Sequence, residues 1–436
     1  MSAAKLARAL VDRLSSRGYG AAEVLTKQGR TRRSELSAQG PVSVLTVESG
    51  WAVRAGGSDG SFFCCGTGVP PAGGSWPEPT GVPLRLPEPK DGPQGGGGSE
   101  PDVALMVEGE AKGLVAGIAR ELGRQLEGAR LLRAVLDDGS SDTHLVSSQG
   151  ISVSFRSRLA TLYLEAVWRS NATTRTVLQL TEREASSFQP RALARRLADV
   201  LTVRAGHPGP ERDRGEIVLG PVVGARLLAA LTPLWVGPKA GARAATLADR
   251  QDRLGSSALN VVDDGRLSGG ALAAPVDGEG LPTRRLVLVR EGRFQQPLLD
   301  WRQAEPPRSR AVGCVRRPSW RDRPSLGLSH LFIEGDENLA ASDLLAAVAR
   351  GYYLLDTLGA VRLDFASDRF AVPVCGFSLA QGQARDTVAR SWLCGGIGAL
   401  LHGIRAAARD LSFVPAAGMV GAPTLLTNGL ELRREL

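Results

Sequence analysis

The chain has 436 residues, 43% hydrophobic and 22% charged, which suits a globular protein with room for two domains. No run approaches the roughly 18 uninterrupted apolar residues of a membrane span, and Ser2–Leu14 lacks the basic-then-apolar layout of a secretory signal, so a cytoplasmic protein with no membrane partner is expected. The net charge of +8 comes from arginines spread along the whole chain with only 5% aromatic residues, which describes a solvated surface and not a base-stacking nucleic-acid site.

In chain order, residues 3–17 carry apolar residues at helical spacing and stop at Gly18, which predicts a helix. Ala22–Gln28, Val42–Glu48 and Gly50–Ala55 read as short strands. Residues 66–101 are mostly Gly, Pro and polar. Such a segment cannot bury enough apolar surface to offset its ordering entropy, which predicts a disordered insertion within the first domain. A helix is predicted over Asp102–Gly128, then strands at Leu131–Asp137, His144–Ser148, Ile151–Arg156 and Ala160–Ser170, with a turn at Ser148–Gly150. Gln189–Val203 predicts a helix with Pro190 in its first turn. The charged break at Ala205–Arg214 then divides the chain into domains spanning 1–208 and 209–436.

The second half opens on a strand, Gly215–Leu219, followed by Gly220-Pro221 and a helix from Val222 to about Thr232. Leu259–Val262 and Arg284–Arg290 read as strands, the latter turning at Glu291-Gly292 into Arg293–Leu299. A helix is predicted at Ser342–Gly351, a strand pair at Val361–Phe365 and Phe370–Phe377, and a helix over Thr387–Arg409 interrupted at Gly395-Gly396. Helices and strands mix without regular alternation. The expected class is α+β: an N-terminal mixed domain with an antiparallel sheet, and a C-terminal β-rich domain with hairpins and packed helices.

Residue chemistry offers little catalysis. Asp277 and Glu279 could be a carboxylate pair for acid–base work, but no nucleophile or metal ligand accompanies them, so Asp263-Asp264-Gly265 and Asp277-Gly278 are read as turns. His144, His207, His330 and His402 lie far apart, each without a second ligand at helical or turn spacing. Cys64, Cys65, Cys314, Cys375 and Cys394 form neither a disulfide framework nor a C-x-x-C pair. Gly376–Ala380 lacks the closing glycine of a nucleophile elbow, and Gly95–Gly98 has no strand before it to make a phosphate loop.

Several ordered segments carry a resemblance. They are Val261–Gly265 (VVDDG), Ala274–Arg284 (APVDGEGLPTR), the strand ending Arg290-Glu291-Gly292-Arg293, Ala349–Tyr353 (ARGYY), Arg369-Phe370, Gly421–Leu425 (GAPTL) and, more weakly, Leu145–Gly150 (LVSSQG). Together they resemble the TldD/PmbA (TldE-like, gyrase-modulator) metallopeptidase family. In active members the resemblance implies H-E-x-x-x-H on the helix after a strand–Gly–Pro, two imidazoles binding zinc and the glutamate serving as general base. Aligning the preceding Leu227-Leu228 puts Ala229 and Ala230 at the first His and the Glu, and Leu234 at the second His. The third ligand implied is a cysteine before the closing strand, and Ser412–Val420 contains none.

The resemblance therefore implies a non-catalytic subunit with no catalytic residue and no cofactor or metal of its own. Zinc would lie in a TldD-type, HExxxH-containing paralogue, and the heterodimer would process extended peptides. Such peptides are typically held by strand addition, and Gly418–Leu426 is the expected peptide-facing edge, with Gly418, Met419, Val420, Gly421 and Thr424 as contacts. The alternatives are a stand-alone peptide- or partner-binding homodimer and a nucleic-acid-associated protein.

Overall fold

The computed structural model describes residues 3–37, 40–71, 76–88, 104–169, 173–303 and 313–436. The N-terminal half consists of α1 (Ala3–Ser16), β1 (Ala21–Ser37), β2 (Gly40–Gly57), β3 (Gly60–Thr67), α2 (Glu108–Gln125), β4 (Arg130–Ser147), β5 (Ser152–Arg169), β6 (Thr173–Glu182) and α3 (Pro190–Arg204). Its six strands form one antiparallel sheet in the order β3-β2-β1-β4-β5-β6. α2 and α3 cover one face, with Leu114, Ile118, Leu122, Leu197 and Leu201 packed on Leu136, Leu162 and Leu164. α1 covers the other end, with Leu10, Val11 and Leu14 against Val24 and Val53.

The strands are longer than the sequence suggests. Val42–Glu48 and Gly50–Ala55 belong to the single strand β2, Leu131–Asp137 and His144–Ser148 merge in β4, which ends at Ser147, and Ile151–Arg156 and Ala160–Ser170 merge in β5 (Ser152–Arg169), with Ser170 outside the described residues. Their middles carry polar residues on both faces, so the alternation that marks a half-buried strand lapses there while the pairing continues. The turn at Ser148–Gly150 is present, with Gly150 at φ +94°. Part of the Gly/Pro-rich segment is seated on this sheet. Trp76 stacks on Phe62 and meets Trp51 edge-on, both at 6.0 Å, while Thr80 and Ser61 exchange backbone hydrogen bonds. The remainder of that segment, 72–75 and 89–101, lies outside the described residues.

The second half comprises β7 (Arg212–Asp213), β8 (Glu216–Leu219), α4 (Pro221–Ala230), a 3-10 turn at Thr232–Leu234, α5 (Ala240–Leu247), β9 (Val261–Asp264), β10 (Arg285–Arg290), β11 (Arg293–Phe294), β12 (Val315–Arg316), β13 (Ser325–Leu326) and β14 (His330–Ile333). It continues through α6 (Ala341–Ala346), β15 (Arg350–Thr357), β16 (Arg362–Asp364), β17 (Arg369–Ala380), β18 (Gln383–Gly395), α7 (Ile397–Gly403), β19 (Ile404–Ala407), β20 (Ser412–Ala416), β21 (Gly418–Ala422), β22 (Leu425–Thr427) and β23 (Glu431–Arg433). One sheet runs β11-β10-β9-β14-β21-β20, and a larger one runs β19-β22-β8-β15-β17-β18-β23-β7 with β16 on β17. Their facing residues, among them Val261, Leu288, Leu331, Leu219, Leu354 and Val372, form one core with α4. The class is α+β.

Two expected helices are corrected. Residues 387–395 belong to β18, and the predicted Ser342–Gly351 helix stops at Ala346 before β15 begins at Arg350. In β18 a bulge opposes Val388 and Ser391 to Gly376 and Val374, so two buried positions stand three residues apart and imitate a helical period. At Gly351 a Cβ would lie 2.2 Å from the Glu216 carbonyl oxygen. There the close approach of β15 to β8 overrides local helix preference. The break expected at 205–214 hugs the larger sheet: Gly209 N donates to the Arg390 carbonyl (3.1 Å) and Ala389 N to that of His207 (2.7 Å).

Candidate functional site

α4 starts where β8 ends, with Pro221 supplying the first helical position. The helix lays Val222 and Ala225 against Val414 and Ala422 of the β20–β21 hairpin. Gly224 permits that approach, because a Cβ there would stand 2.8 Å from the Ala422 Cβ. Ala229, one turn on from Ala225, packs against the core between the two sheets. The helix and the hairpin to which the resemblance assigns the zinc ligands are thus packed together.

The residues that reach this place do not fit a metal. Ala229 and Ala230 offer methyl groups. Leu234 is fully buried beside Trp235 in the core between the two sheets. Thr232 ends the helix by donating its hydroxyl to the Ala229 carbonyl (2.6 Å), and Pro233 blocks continuation. Among the described residues no group of three or more His, Cys, Asp or Glu could hold a metal ion, and all five cysteines are free thiols. His330, the buried histidine nearest the hairpin, spends both ring nitrogens on backbone. Its Nδ1 faces the Asp264 carbonyl (2.9 Å) and Nε2 accepts from Leu272 N (3.1 Å), while burial pulls its pKa down, so it is neutral. It stacks edge-on against Phe413 as a brace.

The residues expected to face a peptide lie elsewhere than at an edge. Gly418, Met419, Val420 and Gly421 form β21, which is hydrogen-bonded to β14 on one side and β20 on the other. Met419 and Val420 are buried, and a Cβ on Gly421 would strike the Phe413 ring at 2.8 Å. Thr424 is also buried: its N–H and hydroxyl donate to the two carboxylate oxygens of Asp410 at 2.9 and 2.7 Å. The outer strand of this sheet is β20. The Gly421–Leu425 motif is an interior clamp.

Sequence reading missed what the Asp277–Thr283 segment does. Asp277 does make a turn, its Oδ1 accepting from Glu279 N (2.9 Å) and Leu281 N (3.0 Å). Glu279, however, reaches into the N-terminal half, accepting from Arg54 Nη1 (3.0 Å) as well as from Trp301 Nε1 (3.1 Å). Arg54 Nε also donates to Glu23 (3.0 Å), and Arg317 Nη1 donates to the same Glu23 (2.7 Å). All four side chains are at most 8% exposed. Burial alone would raise the Glu23 carboxyl, but the guanidiniums of Arg54 and Arg317 outweigh it and hold its pKa below the usual range. Next to this network, Leu25, Leu145 and Ile151 of the first half pack on Val276 and Trp320 of the second. The motif is the seam between the halves, and only the unpaired look of Arg54 in an otherwise apolar strand could have signalled it.

The family model for the PmbA/TldA metallopeptidase C-terminal domain matches residues 212–434. No curated protein matches the sequence. Among solved structures, TldE from Thermococcus kodakarensis superposes with a TM-score of 0.79 at 16% identity, covering 98% of this chain and 99% of that one. A protein described as a modulator of a DNA gyrase from Thermotoga maritima gives 0.76 at 14% identity, with coverage of 98% and 99%. Another so described, from Bacteroides thetaiotaomicron, gives 0.74 at 17% identity, with 98% of each chain covered. At these identities the likeness is one of fold, and it extends over both halves.

Proposed function

This chain belongs to the PmbA/TldA metallopeptidase family, and from that premise we propose that it is a non-catalytic, TldE/PmbA-like subunit that pairs with an HExxxH-bearing paralogue to process extended peptides. The observation that carries the reading is that α4 packs on the β20–β21 hairpin while the positions matching the motif are Ala229, Ala230 and Leu234, which carry no ligand and no base. A glutamate beside two metal-bound imidazoles can activate water; two methyls and a buried isobutyl group cannot. The zinc is accordingly the paralogue's. This chain supplies a wall of the shared cavity.

The experiment is co-expression with the HExxxH paralogue of the same genome, followed by zinc analysis and a peptide-cleavage assay on the purified complex and on each chain. The complex should cleave unfolded peptides and carry zinc in proportion to the paralogue. Stoichiometric zinc or cleavage in this chain alone would sink the proposal.

A further inference from the structure

Beside the seam, one lysine stands among uncharged groups. Lys27 lies on the β1 face that carries Glu23 and Leu25, where Leu25 packs on Val276 and Trp320 of the second half. Its partners across the sheet are Gly50 of β2 and Thr143 of β4, neither of which carries charge. The Trp320 ring occupies the space above Gly50, and a Cβ there would collide with it. The Lys27 Nζ reaches the Pro318 carbonyl at 3.5 Å, on the loop that delivers Trp320.

The charged groups around this amine are engaged elsewhere. Glu23 is taken by Arg54 and Arg317. Asp322 accepts from Ser319 N at 3.0 Å. Glu48, one row along the same face opposite Gly29, forms no ion pair with Lys27. Arg321 lies over the Trp320 ring at 4.4 Å and Arg323 over Phe63 at 5.1 Å. Burial therefore acts on Lys27 without a compensating charge and pulls its pKa below the ordinary lysine value. Lys112, by contrast, pairs with Glu108 one helical turn away.

We propose that Lys27 is an acylation site, an amine that takes an acyl group from a small thioester. Desolvation disfavours an ammonium and leaves the free amine, which is the nucleophile. Lys27 is partly exposed, so a small donor can reach it. The Nζ lone pair attacks the thioester carbonyl carbon. The carbon–nitrogen bond forms as the carbon–sulfur bond breaks, and the proton shed by nitrogen leaves with the thiolate as a thiol. The product is a neutral amide, which removes the charge that burial disfavours and keeps one N–H for the Pro318 carbonyl.

The test incubates the full-length chain with S-acetyl-N-acetylcysteamine near neutral pH and follows each lysine by peptide mass spectrometry. Lys27 should acetylate about fivefold faster than Lys239 or more, although Lys239 is the more exposed of the two. As pH is raised, the Lys27 rate should level off before the Lys239 rate does. Unfolding in guanidinium chloride should erase the difference. Lys27→Arg should abolish the fast event and leave the rate at Lys239 unchanged. A Lys27 rate equal to or below that of Lys239 in the folded chain overturns the proposal. So does a preference that survives unfolding, because it would belong to the local sequence and not to the seam.

Discussion

Buried ionisable side chains govern the residue scale, and two of them titrate in opposite senses. Glu23 has a depressed folded pKa, so its contribution is fully present above the unfolded value near 4.5 and is lost as pH falls through the folded value. Asp277 behaves the other way. Burial raises it to about 6 despite the backbone N–H groups of Glu279 and Leu281, so the native state binds a proton that the unfolded chain has released. Stability should therefore fall as pH rises from about 4 to 6, by about 3 kcal/mol for this group. Denaturation curves of wild type and Asp277→Asn across that window should diverge by this amount, and parallel curves would refute the assignment. Glu23→Gln removes the charge shared by Arg54 and Arg317 and should cost about 3–5 kcal/mol in urea denaturation. None of this was legible in the sequence. Asp277 and Glu279 look like turn residues, and burial arises only when Arg54 and Arg317 arrive from strands and loops far away in the chain.

Elements that stand alone were read well; those defined by partners were not. α1, α3 and α4 announced themselves by apolar period and by Gly18, Pro190 and Pro221, and the β10–β11 hairpin by Glu291-Gly292, both of which adopt positive φ. The strand β18 failed because its bulge displaces the buried set by one residue, and Gly418–Gly421 failed as an edge because sheet order is not written in any local pattern. Ala229, Ala230 and Leu234 could be read directly, since what they offer a metal depends on residue identity alone. α4 allows two checks. Gly224→Val would force the helix off Ala422 and should destabilise by about 1–3 kcal/mol, read by thermal melting. Reinstalling the motif as Ala229→His/Ala230→Glu/Leu234→His should still yield no stoichiometric zinc by elemental analysis, because Ser412–Val420 supplies no thiolate and the histidine at 234 would be buried in the core. That histidine should also cost about 2–4 kcal/mol.

Across the whole molecule, the joint between the halves is buried and is ionic as well as apolar. Wild-type chain should unfold in a single transition followed by both far-ultraviolet circular dichroism and tryptophan fluorescence. Glu23→Gln combined with Glu279→Gln should separate that transition into two, as Trp301 and Trp320 report the seam while the strands of each half persist. A single coincident transition in the double variant would show that apolar packing alone joins them. The joint also has a history during synthesis. Glu23 and Arg54 leave the ribosome early and can satisfy each other within the first sheet, whereas Glu279 and Arg317 are made more than 200 residues after them. At about 5–20 residues per second, some ten seconds or longer separate the two syntheses, so Glu23 and Arg54 have only each other until the arginine and the carboxylate that complete the network are made.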